Sequence, residues 1–340
     1  MAPRWWVWVG VVRAMSFHTH SLRGETVNPH HAAAELQNVA WVQRHSPGMA
    51  DDDDRLDRLR LTRFSRLAAF TYPRVGPAEL ELICNWITWL FLHDDCYCDD
   101  GDADEAGLAA LHRDVLAVLH GEHAPAARDV SLLHMLTDLR RRMLVWSDAA
   151  WMTRFIASVD RYLQSTRWEA QNRGLGLVPP LAAYVKMRCC TGAMDSVYDC
   201  IELGEHLHLG REIREHTAVT TLEQMAGNCV CWANDIFSVN KELLEHNAHN
   251  LVFVLRHEHH LTLAEAIEKA VAMHDAELHA FTWAAARIPD FRREFGPERA
   301  AEVDRYVAGL RSWVRGNAAW SWETPRYKGC LSMRGHDAGV

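Results

Sequence analysis

The hydrophobic pattern of this chain repeats with the period of a helix along its whole length, and this feature constrains the fold most. We find no run of alternating apolar and polar residues bounded by hairpin turn signals, the pattern that predicts strands. Proline and glycine interrupt the helical pattern near residues 47, 73–77, 121–125, 174–180 and 289–297. Between them lie stretches of helical length, for example residues 131–166, 213–244, 263–288 and 298–313. No internal repeat and no Gly/Ser-rich linker divides the 340 residues, so one all-α domain is expected.

Three side chains that offer oxygen to a hard cation stand four residues apart, and we call them the triad: Asn234, Ser238 and Glu242. At about 100° per residue, each step of four residues rotates the position by about 40°, so the three share one stripe of a helix. The outer two lie about 12 Å apart along the helix axis, and their side chains can still converge on one ion. Amide, hydroxyl and carboxylate oxygens suit Mg²⁺, Mn²⁺ or Ca²⁺ better than zinc or copper. The triad therefore predicts a site for a hard cation.

A second oxygen-rich cluster lies about 140 residues upstream and contains Asp94, Asp95 and Asp99. Asp95 and Asp99 share one helical face, and Asp94 lies beside them. The preceding residues 82–94 are apolar on both sides of the predicted helix, which indicates a buried helix. Acidic groups at the end of a buried helix repel one another, and a bound cation would neutralise them. The alternative is an acidic helix end in solvent, the interpretation that we favour for the separate acidic run at residues 51–54.

Together, the two clusters resemble the metal-binding motifs of the class I terpene synthases, in the single-domain form typical of bacteria. In that family an aspartate-rich motif, here residues 94–99, accompanies an Asn/Ser/Glu triad. The commoner aspartate motif has a carboxylate at its fifth position. Here that position is Cys98 and the acid follows at Asp99, a spacing that the family also uses. Which of the three aspartates binds metal directly stays open.

Further positions match the same family in the same order along the chain. Arg188 lies 46 residues before Asn234, at the place of the family's pyrophosphate-sensing arginine. Thr191 and Gly192 follow at its linker and effector positions, although the family often has Asp where this chain has Thr191. The family's closing Arg-Tyr pair and its diphosphate-contacting lysine match Arg326, Tyr327 and Lys241. The resemblance covers roughly residues 28–327.

The resemblance implies a class I terpenoid synthase-like helical bundle with a cavity open at one end. It also implies three Mg²⁺ ions, with Mn²⁺ as a substitute, that bridge the two motifs and polarise phosphate oxygens. The implied catalytic residues are Arg188, Thr191 and Gly192, and those implied to bind the substrate diphosphate are Arg188, Asn234, Lys241, Arg326 and Tyr327. Charge-assisted hydrogen bonds from such groups strengthen as charge develops on the leaving group, which is the requirement for catalysis.

A carbocation formed by ionisation needs an apolar, water-excluding cavity with aromatic faces that attract positive charge. From the aromatic residues near the motifs, we expect Trp89 or Phe91, and also Trp320, to line this cavity. The alternative is that each of these aromatic side chains only packs between helices. Gly192 lies inside the apolar run 181–201 and costs about 1 kcal/mol against Ala there, so we expect a helix break at this residue. By the resemblance, its carbonyl faces the initial cation.

The overall composition argues against several other classes of protein. A net charge of −9 and the lack of a basic stripe argue against a nucleic-acid partner. Nine cysteines without zinc-ribbon spacing or a paired framework indicate a reducing cytoplasm. A soft-metal site at His93, Cys96 and Cys98 would lack a fourth ligand at a sensible spacing. The apolar run 5–12 is too short to span a bilayer, so no membrane insertion is expected.

We divide the chain into a disordered N-terminal extension at residues 1–27, a catalytic domain at 28–328 and a C-terminal tail at 329–340.

The leading hypothesis is a magnesium-dependent cyclase, a lyase that converts farnesyl diphosphate to a sesquiterpene. A monoterpene or diterpene cyclase is an alternative. A chain-elongating prenyltransferase shares the helical fold, but it carries a second aspartate-rich motif where this chain has the triad. A hypothesis from another class is a catalytically silent protein that binds diphosphates or divalent ions. Whether the protein forms a homodimer stays open.

Overall fold

The structure is a computed structural model of the chain and describes residues 26–50, 52–95, 105–122, 130–245 and 247–327. Within these ranges the regular structure is helical and contains no strand, which confirms the all-α fold class. The helices are α1 (His31–His45), α2 (Pro47–Ala50), α3 (Asp53–Thr62), α4 (Phe64–Thr71), α5 (Pro77–His93), α6 (Glu105–His120), α7 (Val130–Trp146), α8 (Ala149–Gly174), α9 (Leu181–Thr191), α10 (Met194–Glu205), α11 (Arg211–Arg214), α12 (Thr217–Glu245), α13 (Leu251–Glu258), α14 (Leu263–Ala285) and α15 (Arg292–Glu323), followed by a 3₁₀ turn (Pro325–Tyr327).

The local sequence explains where several of these helices begin, end or bend. Pro77 occupies the first turn of α5, where its missing N–H costs no helical hydrogen bond. The Asp148 carboxylate accepts a hydrogen bond from the Trp151 main-chain N–H at 2.7 Å and caps α8. This cap divides the predicted helical stretch 131–166 into α7 and α8. A second interruption lies inside α15, where Gly296 has a φ of 83° and bends the helix.

Helix α5 is buried on both sides, as its apolar sequence predicts. It packs against α1, α4, α7 and α10. On the other side of the molecule α12 packs against α14 and α15, and α15 continues onto α4. This arrangement places α5 and α12, the helices that carry the two predicted metal motifs, on two walls of one cavity.

Parts of the predicted domain organisation fall outside the ranges that the structure describes. Residues 1–25 and 328–340 are outside them, so the extension, the tail and the exact domain bounds stay predictions. Asn28, at the predicted start of the domain, is fully buried and donates from Nδ2 to the carbonyls of Tyr72 and Val75 at 3.1 and 2.8 Å. None of the described helices combines the length and the apolarity needed to cross a bilayer. The cytoplasmic location and the homodimer also stay predictions.

Candidate active site

A cavity opens between α4, α5, α8, α9, α10, α12, α15 and the 3₁₀ turn. Its empty space, including the part open to solvent at the mouth, is about 1070 Å³. Along α5 and α12 alike, apolar lining residues come first and polar ones follow, so the cavity has an apolar end and a polar end. The apolar end includes Leu67, Ile87, Leu90, Phe91, Met194, Val197, Val230 and Trp313. The polar end includes Asp94, Arg188, Asn234, Ser238, Lys241, Glu242, Arg326 and Tyr327.

The triad occupies the last turns of α12, and all three of its side chains line the cavity. Ser238 Oγ donates a hydrogen bond to Glu242 Oε1 at 2.5 Å, but Glu242 Oε2 is buried and has no hydrogen-bond partner among the described residues. Burial, reinforced by the nearby Asp235 carboxylate, raises the pKa of Glu242 to about 8. A buried carboxylate with an unpartnered oxygen is costly, and a bound cation would remove that cost. The donor set therefore fits a hard divalent metal ion.

The described part of the aspartate motif lies at the C-terminal end of α5, opposite the triad. Asp94 lines the cavity. Asp95 is fully buried, and its two carboxylate oxygens accept hydrogen bonds from the Arg326 guanidinium at 2.6 and 2.8 Å. Lys241 Nζ lies 3.8 Å from Asp95 Oδ1. Burial alone would lower the pKa of Arg326, but the Asp95 carboxylate outweighs it and raises that pKa. Asp95 thus joins α5 to α12 and to the C-terminal turn, whereas Asp99 lies outside the described residues.

Arg188 reaches the triad from α9 and is held there by a buried carboxylate. Its Nη2 donates to Asn234 Oδ1 at 3.1 Å, and its Nε donates to Asp235 Oδ1 at 2.9 Å. The fully buried Asp235 also accepts from Tyr184 Oη at 2.5 Å and from the Leu251 main-chain N–H at 3.2 Å. Burial would lower the pKa of Arg188, but Asp235 outweighs it, so the pKa is raised and the guanidinium stays charged. Asp235 fixes the position of this charge beside the triad.

The 3₁₀ turn at the C-terminal end brings Arg326 and Tyr327 into the same group. Asn234 Nδ2 donates to Tyr327 Oη at 2.7 Å, while its Oδ1 accepts from Arg188. The guanidinium carbon of Arg326 lies 4.9 Å from the centre of the Phe91 ring. The structure therefore brings together residues from three distant parts of the sequence. These are Arg188, the triad with Lys241, and the Arg-Tyr pair.

The predicted helix break at Gly192 is confirmed, because α9 ends at Thr191 and a short break precedes α10. A Cβ on Gly192 would lie 2.7 Å from Cys231 Sγ and 3.2 Å from Arg188 Nη1. The backbone of the break therefore approaches α12 and Arg188 more closely than any residue with a side chain allows. Thr191 lines the cavity, and its Oγ1 lies 3.4 Å from Arg188 Nη1.

The aromatic wall differs in part from the prediction. Phe91 lines the cavity, but Trp89 does not. The Trp89 ring stacks on Trp86 at 5.2 Å between ring centres, and its indole N–H donates to a main-chain carbonyl of α7. Trp320 also lies behind the wall, packed against Phe91 at 5.9 Å, with its indole N–H bonded to the end of α3. The prediction for Trp320 is therefore corrected, and Trp313 lines the cavity although it was not predicted to do so.

His93, the member of the alternative soft-metal site that the structure describes, has other contacts. Its Nδ1 lies 2.8 Å from Tyr162 Oη, and its ring stacks on Trp89 at 5.4 Å. Burial lowers the pKa of His93 to about 3. Cys96 and Cys98 lie outside the described residues, so that alternative stays a hypothesis.

Sequence reasoning did not single out several polar residues that the structure places at the site. Asp235 directly follows Asn234, but a stripe with a spacing of four residues assigns it to another face of the helix. The cavity wall also contains Tyr162, Glu169, His249 and Asn317, none of which belongs to a predicted motif. No signal in the local sequence marks these four, because the tertiary positions of α8, α15 and the loop after α12 bring them to the cavity.

Comparisons with known proteins agree with this geometry. The family model described as terpene synthase family 2, C-terminal metal binding, matches residues 85–280. The (+)-T-muurolol synthase ((2E,6E)-farnesyl diphosphate cyclizing) of Roseiflexus castenholzii is 36% identical over 303 residues, which cover 88% of this chain and 90% of that protein. The 10-epi-cubebol synthase of Sorangium cellulosum is 36% identical over 310 residues, 88% of this chain and 94% of that protein.

A solved structure supports the same fold. Germacradien-4-ol synthase from Streptomyces citricolor matches with a TM-score of 0.74 over 86% of this chain and 96% of that chain. At 24% identity this likeness concerns the fold alone. The family model, however, spans more than half of the chain, and the two relatives above cover most of it. This chain therefore belongs to terpene synthase family 2, the family whose C-terminal region binds metal.

Proposed function

We propose that this protein is a magnesium-dependent terpene cyclase, a lyase that ionises farnesyl diphosphate, cyclises the resulting carbocation to a sesquiterpene and releases diphosphate. One observation carries this proposal. A single cavity joins an end with metal-type oxygens and cationic donors to an apolar end that can shield a carbocation. The relative from Roseiflexus castenholzii is named for the cyclisation of farnesyl diphosphate, which supports the same substrate here.

Divalent metal dependence follows from membership of the family, and the described residues fit such an ion. We assign the ligands to Asp94 and to the triad, which all line the cavity. The unpartnered Glu242 Oε2 supports this assignment, because burial disfavours the carboxylate form of Glu242 and a bound cation would stabilise that form. When bound, Mg²⁺ supplies Lewis-acid stabilisation of charge on the phosphate oxygens. Three ions, Mn²⁺ as a substitute and Asp99 as a further ligand are parts of the same proposal.

The cationic donors at the polar end are assigned to the substrate diphosphate. Arg188 is held by Asp235, so its guanidinium presents a fixed fork that suits bidentate binding of phosphate. Arg326 and Lys241 add positive charge from the other side of the site, where Asp95 holds both of them. Asn234 and Tyr327 are the remaining residues that we assign to the substrate diphosphate. These contacts strengthen as negative charge develops on the leaving oxygen, so they favour ionisation more than binding.

The apolar end is assigned to the hydrocarbon chain and to the cations that form from it. Leu90, Val197 and Val230 exclude water from this end, and the Phe91 and Trp313 rings attract positive charge. We assign the Gly192 carbonyl, at the break after α9, to the initial cation. Thr191 connects it to the diphosphate-sensing Arg188, since Thr191 Oγ1 lies within 3.4 Å of Arg188 Nη1.

Incubation with farnesyl diphosphate and Mg²⁺, followed by gas chromatography of the extract, tests the proposal. A cyclic hydrocarbon or alcohol is expected, and added isopentenyl diphosphate should yield no longer diphosphate. Geranyl and geranylgeranyl diphosphate, tested in parallel, distinguish the monoterpene and diterpene alternatives. A longer diphosphate product would support chain elongation instead. Binding of substrate without any turnover would support a catalytically silent protein.

A further inference from the structure

Asn317 on α15 places a polar amide in the apolar end of the cavity. It lies one helical turn after Trp313 and lines the cavity, although only 4% of its surface is exposed. Its Nδ2 donates a hydrogen bond to the main-chain carbonyl of Val230 on α12 at 3.1 Å. A carbonyl can only accept, so the amide nitrogen must face Val230 and Oδ1 must face another way.

Oδ1 of Asn317 accepts no hydrogen bond from the described residues. Because the residue lines the cavity and its nitrogen is turned to Val230, the oxygen is available to whatever occupies the apolar end. An amide oxygen that faces an apolar part of a cavity without a donor costs free energy, and a molecule with an O–H group would remove that cost. The side chains of Leu67 and Val197, which also line the cavity, carry no hydrogen-bond donor.

The position of this amide is fixed by close packing. The next residue in the N-terminal direction, Gly316, brings α15 against the end of α4, where an added Cβ would lie 2.6 Å from the Phe70 carbonyl carbon. The hydrogen bond to Val230 fixes the amide from the opposite side. An acceptor held on two rigid helices can orient a small molecule within a tight range.

We propose that Asn317 is a positioning residue that holds a water molecule in the apolar end, and that this water adds to the final carbocation, so that the product is a sesquiterpene alcohol. This rests on the proposed function. Asn317 Oδ1 accepts one O–H bond of the water, which leaves the lone pairs on the water oxygen available to the cation. One lone pair forms the new C–O bond. The proton lost from the resulting oxonium passes to the diphosphate that ionisation released, so no further reactant is needed.

The experiment compares the wild type with Asn317→Leu, in which the side chain has similar size but no acceptor. Both proteins convert farnesyl diphosphate in ¹⁸O-labelled water with Mg²⁺, and mass spectrometry measures the alcohol-to-hydrocarbon ratio and its label. We expect the wild type to form a labelled alcohol. We expect the ratio to fall about tenfold in Asn317→Leu, the effect of losing one hydrogen bond to the attacking water.

Ser321→Ala is the matched control, because Ser321 is a buried polar residue one turn further along α15 that does not line the cavity. The alcohol-to-hydrocarbon ratio of Ser321→Ala should equal that of the wild type. If thermal denaturation shows that Asn317→Leu does not fold, Asn317→Val removes the same acceptor and is interpreted in the same way. An unchanged ratio in the folded variant, or a wild type that forms hydrocarbons alone, overturns the inference. Absence of any cyclic product from farnesyl diphosphate overturns the proposed function itself.

Discussion

Two separate regions of this protein each contain buried carboxyl groups, and the partners of these groups differ. One region is the polar end of the cavity, represented by Glu242. The other, which we call the distal cluster, consists of Asp199, Glu202 and Glu223 with Arg154 and Arg214. Glu223 and Glu242 are 19 positions apart on α12, about 28 Å along the helix.

In the distal cluster every carboxylate lies against a guanidinium group. Arg214 lies 3.1 Å from Asp199 Oδ1 and 3.0 Å from Glu202 Oε1, and it also pairs with Glu223. Arg154 lies 2.8 Å from Glu202 Oε2. Glu202 Oε1 forms no hydrogen bond, but Arg214 Nε lies 3.0 Å from it, so a positive charge faces this oxygen. Glu242 Oε2 has no hydrogen-bond partner in the described part of the chain and is not paired with a guanidinium group there. Paired buried charges hold helices together, whereas an unpartnered oxygen that faces a cavity indicates a ligand.

The largest expected effect comes from making the same substitution in both regions. Glu242→Gln removes a proposed metal ligand, and we expect kcat/KM for farnesyl diphosphate to fall by about 10²–10³-fold. Glu202→Gln changes a buried glutamate outside the cavity and should leave kcat/KM at the wild-type value. Diphosphate release at saturating Mg²⁺ measures both. Equal losses in the two variants, or full activity in Glu242→Gln, would remove the distinction between the regions.

A second matched pair of substitutions distinguishes effects on stability from effects on activity. Asp235 and Asp199 are both buried and each binds an arginine, but only Asp235 holds an arginine of the cavity wall. We expect Asp235→Asn to lower the free energy of unfolding by about 3–5 kcal/mol, because it leaves the buried Arg188 without its counter-ion. Displacement of Arg188 should also lower kcat/KM by about 10²-fold.

Asp199→Asn is the control for this experiment. Arg214 keeps its two glutamate partners, so the loss of stability should be smaller and kcat/KM of the folded fraction should not change. Urea denaturation and steady-state kinetics give the two quantities. A normal kcat/KM in Asp235→Asn would show that Arg188 does not need its ion pair with Asp235 to support activity.

Gly192→Ala tests whether the close approach at the helix break matters for activity. The new Cβ would lie 2.7 Å from Cys231 Sγ and 3.2 Å from Arg188 Nη1, so we expect kcat/KM to fall about tenfold. In Gly309→Ala the new Cβ would crowd Ile201 Cγ2 at 2.5 Å, away from the cavity, so stability should fall without loss of kcat/KM. Adding Cys231→Ala to Gly192→Ala should restore part of the activity. No recovery in that double variant would assign the effect to the contact of the new Cβ with Arg188 instead.

Helical periodicity was sufficient to predict the fold class, because the burial of α5 and the break at Gly192 are properties of local sequence. The division between α7 and α8 was not predicted. It depends on one cap, in which Asp148 accepts from the Trp151 N–H, within an otherwise continuous pattern. The assignment of Trp320 to the cavity wall failed for a related reason. Proximity to Arg326 in the sequence does not determine which face of α15 meets the cavity.

The prediction of the site was limited in the same physical way. A stripe with four-residue spacing identifies the triad, and a resemblance in motif order locates Arg188 and Lys241. Neither signal identifies Asp235, which acts through a contact with another helix, or Asn317, whose partner is on α12. The distal cluster was not predicted at all, since its ion pairs join four helices and leave no motif in the sequence.

The smallest expected effect concerns the pH dependence of stability in the distal cluster, where three carboxyl groups share two guanidinium groups. Burial raises the pKa of Glu202 to about 7, although Arg214 and Arg154 act against this shift. The folded protein then holds this proton more tightly than the unfolded chain does. The resulting stabilisation is complete below about pH 4.5 and is lost as the pH rises through 7.

Glu202→Gln carries no titrating group at this position, so its unfolding free energy should fall less between pH 5 and pH 8 than that of the wild type. The expected difference is about 2–3 kcal/mol. Urea denaturation of both proteins at the two pH values measures it, and the other buried carboxyls cancel because both proteins contain them. Identical pH dependence would show that Arg154 and Arg214 keep Glu202 ionised throughout. In that case Glu202 would stay ionised beside its arginines while burial raises the pKa of Glu242, and pairing with guanidinium groups would account for the difference between the two regions.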